Sequence, residues 1–146
     1  MKLLDMPMVC LDEELLPTYA TEHSAGSDLK ANISEALDLK PQERILISTG
    51  VFVEIPEGYE IQIRPRSGLA INHGITVLNT PGTIDADYRG EIKVILINHS
   101  NKTFTITPKM RIAQLVVSSY VRANFILKKQ LTESARGCGG FGHSGL

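Results

Sequence analysis

The chain has 146 residues, of which 42 % are hydrophobic and 21 % are charged, a length and composition that fit one compact domain with a buried core. Its formal net charge is −1, which gives no general basic character for binding a nucleic-acid backbone but leaves room for a local small-anion site. Cys10 and Cys138 form neither a CxxC pair nor a His/Cys cluster of zinc spacing, which excludes a zinc deaminase. We interpret both cysteines as free thiols in a reducing compartment.

The start of the sequence and its apolar runs predict a cytoplasmic protein. Lys2 and Asp5 leave too short an interval for the apolar region of a secretion signal. The longest aliphatic run, residues 94–97, is far shorter than the roughly 20 residues that a membrane-spanning helix needs. We expect neither a membrane nor a nucleic acid among the partners of this chain.

Alternation of apolar and polar residues with a period of two dominates the sequence and predicts an all-β fold. Seven alternating or β-branched-rich runs are predicted strands: residues 44–48, 51–55, 59–64, 75–78, 91–98, 103–107 and 112–117. The only helix predicted among them opens at Ser67 and Gly68 and runs to Ile71, with Ser67 as its N-terminal cap. Many short strands at near-regular spacing favour a barrel or jelly roll.

Dense glycine and the loss of alternation mark the last part of the chain. They divide it into a β-barrel domain of residues 1–134 and a flexible glycine-rich tail of residues 135–146. Residues 137–142 fit the G-x-G-x-x-G pattern of dinucleotide-binding loops, but we expect no helix in the four residues that follow and reject that interpretation.

The tail also carries residue types suited to a nucleotide. Arg136 can grip a phosphate with two parallel N–H groups, and Phe141 can stack on a base. Ser144 adds a hydroxyl donor. A mobile tail without a role explains the composition equally well.

Two segments around the predicted helix combine groups that bind or attack a phosphate. Residues 64–68, RPRSG, place two arginines at the helix N-terminus, where backbone N–H groups bind anions; alone, a capped helix with surface arginines is the simpler explanation. Residues 79–90, NTPGTIDADYRG, lie between two predicted strands and carry carboxylates that could orient and deprotonate a water. A turn-rich hairpin is the simpler explanation of that segment alone.

Two further segments each contain one polar residue of interest. Asp28, within residues 25–29, becomes important if a phosphate-bound Mg²⁺ needs an oxygen ligand, and otherwise belongs to a turn. Gln114 is the one amide in the apolar run of residues 111–117, which alone is best explained as a core strand. None of these segments identifies a function by itself.

In this order, however, the five segments resemble the five motifs of the trimeric dUTPases. They read AGSDLKA, RPRSGLA, NTPGTIDADYRGEI, RIAQLVV and RGCGGFGHSG, and extend from Ala25 to Gly145. The resemblance implies a jelly-roll-like β-barrel that forms a homotrimer with an exchanged C-terminal segment. It also implies a Mg²⁺-dependent enzyme that hydrolyses dUTP to dUMP and pyrophosphate, which keeps uracil out of DNA and supplies dUMP for thymidylate synthesis.

The resemblance implies roles for individual residues as well. Asp85 would hold and activate the water that attacks the α-phosphorus, and Asp28 would support Mg²⁺ through coordinated water. Tyr88 would lie under the deoxyribose and leave no room for a 2′-hydroxyl. The other implied substrate-binding residues contact the phosphates or the uracil: Arg66, Ser67, Gly68, Asn79, Thr83, Ile84, Lys93, Gln114, Arg136, Phe141 and Ser144.

The uracil slot would consist of Asn79 and the backbone of residues 83–85 and 93. Fixed backbone partners for the N3–H and O4 of uracil reject cytosine, because cytosine presents the opposite donor and acceptor there. A slot that is tight at ring carbon 5 would exclude the methyl group of thymine.

The tail would close over the substrate in this pattern. Arg136 and Ser144 would hold the terminal phosphate while Phe141 covers the base. His143 stands where serine is frequent in the family, and we assign it no role. Each site would draw on three chains: one gives the residues around Asp28, a second gives the hairpin of Asp85, and the third gives the tail.

Two alternative functions remain to be separated from this one. A dCTP deaminase of related fold would need a slot for cytosine, and we would not expect it to keep the Gly-Phe-Gly of residues 140–142. A regulatory protein that only senses a nucleotide could lose Asp85. The presence of Asp85, Asp28 and Arg136 together favours the enzyme.

Overall fold

The computed structural model describes residues 3–141, and strands make up most of its regular structure. The eleven strands in this part are β1 Met8–Cys10, β2 Thr18–Tyr19, β3 Gly26–Lys30, β4 Leu37–Leu39, β5 Arg44–Val53, β6 Tyr59–Arg64, β7 Ile75–Val77, β8 Gly82–Ile84, β9 Ile92–Asn98, β10 Phe104–Ile106 and β11 Arg111–Ser119. Within residues 3–141, one 3-10 turn spans Glu13–Leu15 and one α-helix, α1, spans Ser67–His73.

The strands form three antiparallel sheets, ordered β1-β5-β9-β7, β2-β3-β11-β6-β8 and β10-β4. The two larger sheets bury one face each in a shared core, because apolar side chains alternate with polar ones along their strands. In β6, for example, Ile61 and Ile63 are 0 % and 2 % exposed, whereas Arg64 faces solvent. The prediction of an all-β fold is confirmed.

The predicted break between strands at residues 48–51 is wrong. β5 continues through this region, and its pairing with β9 shifts register between Ser48 and Val51. Gly50 adopts a φ of +70°, which a residue without a side chain tolerates, so the extra residues form a bulge and the strand continues beyond them. The hydroxyl of Thr49 donates to the carbonyl of Ile92 at 2.5 Å and ties the bulge to β9.

The predicted cap of α1 is also wrong. Ser67 is the first helical residue, and the N-cap is Arg66, whose extended backbone precedes the helix without a side-chain capping bond. The helix ends at His73, and its C-cap Gly74, which has a φ of +66°, donates its N–H to the carbonyl of Ala70. Arg66 and Ser67 therefore lie together at the start of a two-turn helix.

The chain leaves the barrel after β11. Val121, Phe125 and Leu127 are 97 %, 93 % and 100 % exposed, and residues 120–141 contain no strand. The packed part of this chain thus ends near Ser119, and the predicted domain boundary at residue 134 stays a prediction. Both cysteines are free, and no helix in residues 3–141 is long and apolar enough to cross a membrane.

Candidate functional site

Three neighbouring strands bring the first group of predicted site residues together. In the register of the sheet, Gln114 of β11 lies opposite Asp28 of β3 on one side and opposite Arg64 of β6 on the other. Arg66 lies two residues beyond the end of β6 and is the N-cap of α1. Long-range strand pairing therefore joins residues from three separate motifs.

Asp28 lies at the centre of this group and pairs with two arginines. Its side chain is 6 % exposed, and its Oδ1 accepts from Nε of Arg66 at 3.0 Å while its Oδ2 accepts from Nη1 of Arg111 at 3.1 Å. Nη1 of Arg66 also donates to the backbone carbonyl of Arg111 at 3.3 Å. One buried carboxylate thus orients two guanidinium groups and leaves the cluster with an excess positive charge.

This cluster has the chemistry of an anion site. The side chains of Arg66 and Arg111 are 25 % and 53 % exposed, so N–H groups not used by Asp28 can reach a ligand in solvent. Sequence analysis singled out Gln114 in this motif and missed Arg111. The available signal was the arginine that begins the run RIAQLVV, but only the pairing of β11 with β3 relates it to Asp28.

The carboxylate oxygens of Asp28 fit an indirect contact with a magnesium ion that is itself bound by phosphates and water. Within residues 3–141 no group of three or more His, Cys, Asp or Glu side chains could hold a metal ion. Asp28 uses both oxygens to bind arginine, yet each carboxylate oxygen has a further lone pair for a hydrogen bond from a metal-bound water. Mg²⁺ typically keeps several waters and binds through substrate phosphates, so the predicted indirect role of Asp28 fits this geometry.

The second group lies around the segment that joins β8 to β9, residues 85–91, which we call the Asp85 loop. The two strands belong to different sheets, so this segment is not a paired hairpin. β8 pairs with β6, and Asp85 follows β8 as an exposed residue. The backbone N–H of Tyr88 donates to the carbonyl of Asp85 at 3.1 Å, and its hydroxyl donates to the carbonyl of Glu91 at 2.9 Å. Asn79 precedes β8 and packs against Gly82, where a Cβ would lie 3.3 Å from the Asn79 amide nitrogen.

Glu91 anchors the end of the Asp85 loop, and sequence analysis missed it. Its Oε1 accepts from the hydroxyl of Ser48 and, at 2.8 Å, from the N–H of Gly50, and its Oε2 lies 3.6 Å from Nζ of Lys93. Burial raises the pKa of Glu91, but the bonds from Ser48 and Gly50 and the charge of Lys93 together lower it below its ordinary value. An ionised Glu91 therefore joins the Asp85 loop to the bulge of β5.

The described part of the tail, residues 135–141, does not join either group in this chain. Arg136 is exposed and its Nε donates to the carbonyl of Gly139 at 2.7 Å, while Phe141 extends fully into solvent. The predicted roles of Ser144 and His143 fall outside the described residues.

The single chain brings the predicted residues into separate groups rather than one pocket. Among residues 3–141 we find no hydrogen bond or ion pair between the cluster of Asp28 and the Asp85 loop. Two cavities of about 420 and 630 Å³ lie elsewhere on the barrel, and no predicted site residue lines either of them.

Comparison with known proteins decides the family. A model of the dUTPase family matches residues 12–145. The chain belongs to the dUTPase family. The family resemblance and the jelly-roll-like fold predicted from the motifs are both confirmed.

Individual dUTPases agree along nearly the whole chain. The deoxyuridine 5′-triphosphate nucleotidohydrolase of Chlamydia pneumoniae is 64 % identical over 131 residues, which cover 89 % of this chain and 90 % of that protein. A variant dUTPase of Staphylococcus bacteriophage 80alpha, solved with dUpNHpp, has a TM-score of 0.86 at 25 % identity and covers 97 % of this chain and 99 % of that chain.

A second solved dUTPase supports the fold alone. A variant of the enzyme from phage phi11 of S. aureus has a TM-score of 0.76 at 23 % identity and covers 87 % of this chain and 98 % of that chain. That protein is described with a coordinated structural Mg(II) ion.

Proposed function

We propose that this protein hydrolyses dUTP to dUMP and pyrophosphate, and so keeps uracil out of DNA and supplies dUMP for thymidylate synthesis. Its similarity to nucleotidohydrolases of that name supports the reaction, as does a phage relative solved with a dUTP analogue. The observation on this chain that carries the proposal is the buried Asp28 that holds Arg66 and Arg111 beside the start of α1. Such a cluster suits a triphosphate, whose charge two oriented guanidinium groups can partly neutralise.

Asp85 is the proposed general base. Its exposed carboxylate follows a strand that is hydrogen-bonded in the barrel, so the backbone fixes its position while the side chain remains accessible to water. Asp85 takes a proton from a bound water as the water oxygen forms a bond to the α-phosphorus. The bond to the bridging oxygen breaks, and pyrophosphate leaves.

Residues at the start of α1 are proposed to hold the phosphates. The guanidinium of Arg66, the hydroxyl of Ser67 and the exposed backbone at Gly68 lie in adjacent positions, and Gln114 adds an amide from β11. Mg²⁺ supplies further charge neutralisation when it is bound to the triphosphate. Asp28 contributes indirectly, because it orients Arg66 and can accept a hydrogen bond from a coordinated water.

The Asp85 loop and the residues next to it are proposed to select the base and the sugar. Asn79 with the backbone of residues 83–85 and Lys93 forms the uracil slot, and fixed backbone partners discriminate strongly against cytosine. Tyr88 lies against the deoxyribose and excludes a 2′-hydroxyl. Two hydrogen bonds, to Asp85 and Glu91, hold Tyr88 in this chain and support that role.

A homotrimer with an exchanged C-terminal segment is the proposed functional unit. The exposed apolar side chains of Val121, Phe125 and Leu127 support it, because a lone chain leaves them in water. The tail of residues 135–146 then closes a neighbour's site, with Arg136 and Ser144 on the terminal phosphate and Phe141 over the uracil.

A substrate panel tests the reaction. The protein is incubated with dUTP, UTP, dCTP or dTTP and Mg²⁺, and products are separated by chromatography. We expect dUMP and pyrophosphate from dUTP, little turnover of the other nucleotides, and loss of hydrolysis when EDTA removes the metal. Ammonia released from dCTP would identify a deaminase instead, and tight binding of dUTP without turnover would identify a nucleotide sensor.

A further inference from the structure

Tyr88 folds back over Gly90, and the fit leaves no space for a side chain at residue 90. A Cβ added to Gly90 would lie 2.3 Å from Oη, 2.5 Å from Cζ and 2.9 Å from Cε2 of Tyr88. Non-bonded carbon atoms pack at roughly 3.5–4.0 Å, so even a methyl group would overlap the ring. Gly90 is not among the residues with positive φ, so space rather than backbone conformation requires glycine here.

Tyr88 is held by hydrogen bonds from its backbone and from its hydroxyl. Its backbone N–H donates to the carbonyl of Asp85, and its hydroxyl donates to the carbonyl of Glu91. Glu91 is itself fixed by Ser48 and the N–H of Gly50. Tyr88 is 43 % exposed, so its ring has room to move towards solvent when a side chain at residue 90 displaces it.

We propose that Gly90 is a positioning residue that sets the discrimination between deoxyribose and ribose. Its missing side chain lets Tyr88 lie close to the backbone and bond to Glu91, in the place from which the ring would exclude a 2′-hydroxyl. The inference rests on the proposed role of Tyr88 as the sugar filter. A methyl group at residue 90 displaces the ring and breaks the bond to Glu91, which opens space at the 2′ position.

A double-mutant cycle tests the proposal. The values of kcat/KM for dUTP and UTP are measured for the wild type, Gly90→Ala, Tyr88→Ala and the double variant. We expect Gly90→Ala to narrow the preference for dUTP by about tenfold, the lower range for a misfit of one methyl-sized group. In the Tyr88→Ala background, the same substitution should produce no further change, because the ring through which Gly90 acts is gone.

Tyr88→Phe is the matched control for the hydrogen bond, since it keeps the ring and the space below it. We expect it to retain most of the preference for dUTP. If Gly90→Ala prevents folding, the double variant decides the matter: it should fold because the overlap is gone, and failure of both to fold overturns the proposal.

The outcomes separate this inference from the proposed function. An unchanged preference in Tyr88→Ala would show that Tyr88 is not the sugar filter, and both the filter and the role of Gly90 would be lost. A narrowed preference in Tyr88→Ala with a wild-type preference in folded Gly90→Ala overturns the role of Gly90 alone. An equal effect of Gly90→Ala in both backgrounds also overturns it.

Discussion

Asp28 and Arg66 are 38 positions apart in the chain, yet the carboxylate Oδ1 of one accepts a hydrogen bond from Nε of the other at 3.0 Å. Arg111, the first residue of β11, pairs with the second oxygen, Oδ2, at 3.1 Å. Asp28 is buried and pairs with both arginines, so removal of its charge leaves two guanidinium groups without their shared ionic partner.

We therefore expect Asp28→Asn to lower the free energy of unfolding by about 1–3 kcal/mol, with the value limited by the solvent exposure of Arg111. Urea denaturation at a fixed subunit concentration measures the change, since oligomer stability depends on concentration. Asp5→Asn makes the same chemical change at an exposed residue and should stay within about 0.5 kcal/mol of the wild type. Equal stabilities of the two variants would show that the ion pairs contribute nothing measurable.

Asp85→Asn should reduce kcat by about 10²–10⁴-fold, because an amide can hold a water but accepts its proton poorly. Binding of dUpNHpp, measured by calorimetry, should be nearly unchanged. Asp87→Asn is a matched control on the same loop, since Asp87 is also exposed. Loss of activity in both variants, or in neither, would contradict the assignment of Asp85 as the general base.

Glu91→Gln should destabilise the protein in a pH-dependent way. The folded-state pKa of Glu91 lies below its ordinary value of 4.5, so the ionised side chain stabilises the fold above that pH. This contribution is lost as the pH falls through the lower folded-state pKa. We expect the variant to be less stable by about 1–2 kcal/mol at pH 7, from weaker bonds to Ser48 and Gly50, and the difference to shrink below about pH 4.5.

Thermal melts across this pH range check the sign. Glu57→Gln serves as the control because Glu57 is exposed in a turn, and its melts should follow the wild type at every pH. A destabilisation of Glu91→Gln that grows towards acid pH would contradict the assignment of Glu91 as an ionised anchor.

The proposed three-chain site predicts complementation between two inactive variants. Asp85→Asn chains and chains that end at Ser134 should each be inactive, and the truncated chains should still form trimers. When the two are unfolded and refolded together in equal amounts, about three-quarters of the trimers are mixed, each with one intact site in three. About a quarter of full activity should therefore return.

Native mass spectrometry confirms that mixed trimers have formed. An inactive preparation that contains mixed trimers would show that the Asp85 loop and the tail act from the same chain. It would overturn the shared site but not the proposed reaction. A truncated chain that elutes as a monomer would instead show that residues 135–146 hold the trimer together.

The sequence by itself determined the family, the all-β fold and the regular strands. Alternation along residues 59–64 and the β-branched residues along 91–98 are local signals of a strand, so β6 and β9 could be predicted without tertiary information. Strands such as β2 and β4, with two and three residues, have too few positions to show a period, and only their partners define them. Local propensity likewise suggested Ser67 as a cap, although the chain turns into the helix one residue earlier.

Only the tertiary structure decided which side chains meet. Arg111 is an unremarked arginine until β11 pairs with β3 and brings it to Asp28. From the sequence, Glu91 is only the first residue of a predicted strand, and its role becomes visible when the bulge of β5 supplies its donors. The close approach of Tyr88 to Gly90 likewise cannot be inferred from the sequence alone. Such contacts depend on strand register and side-chain direction over long sequence separations, and no local pattern encodes either of them.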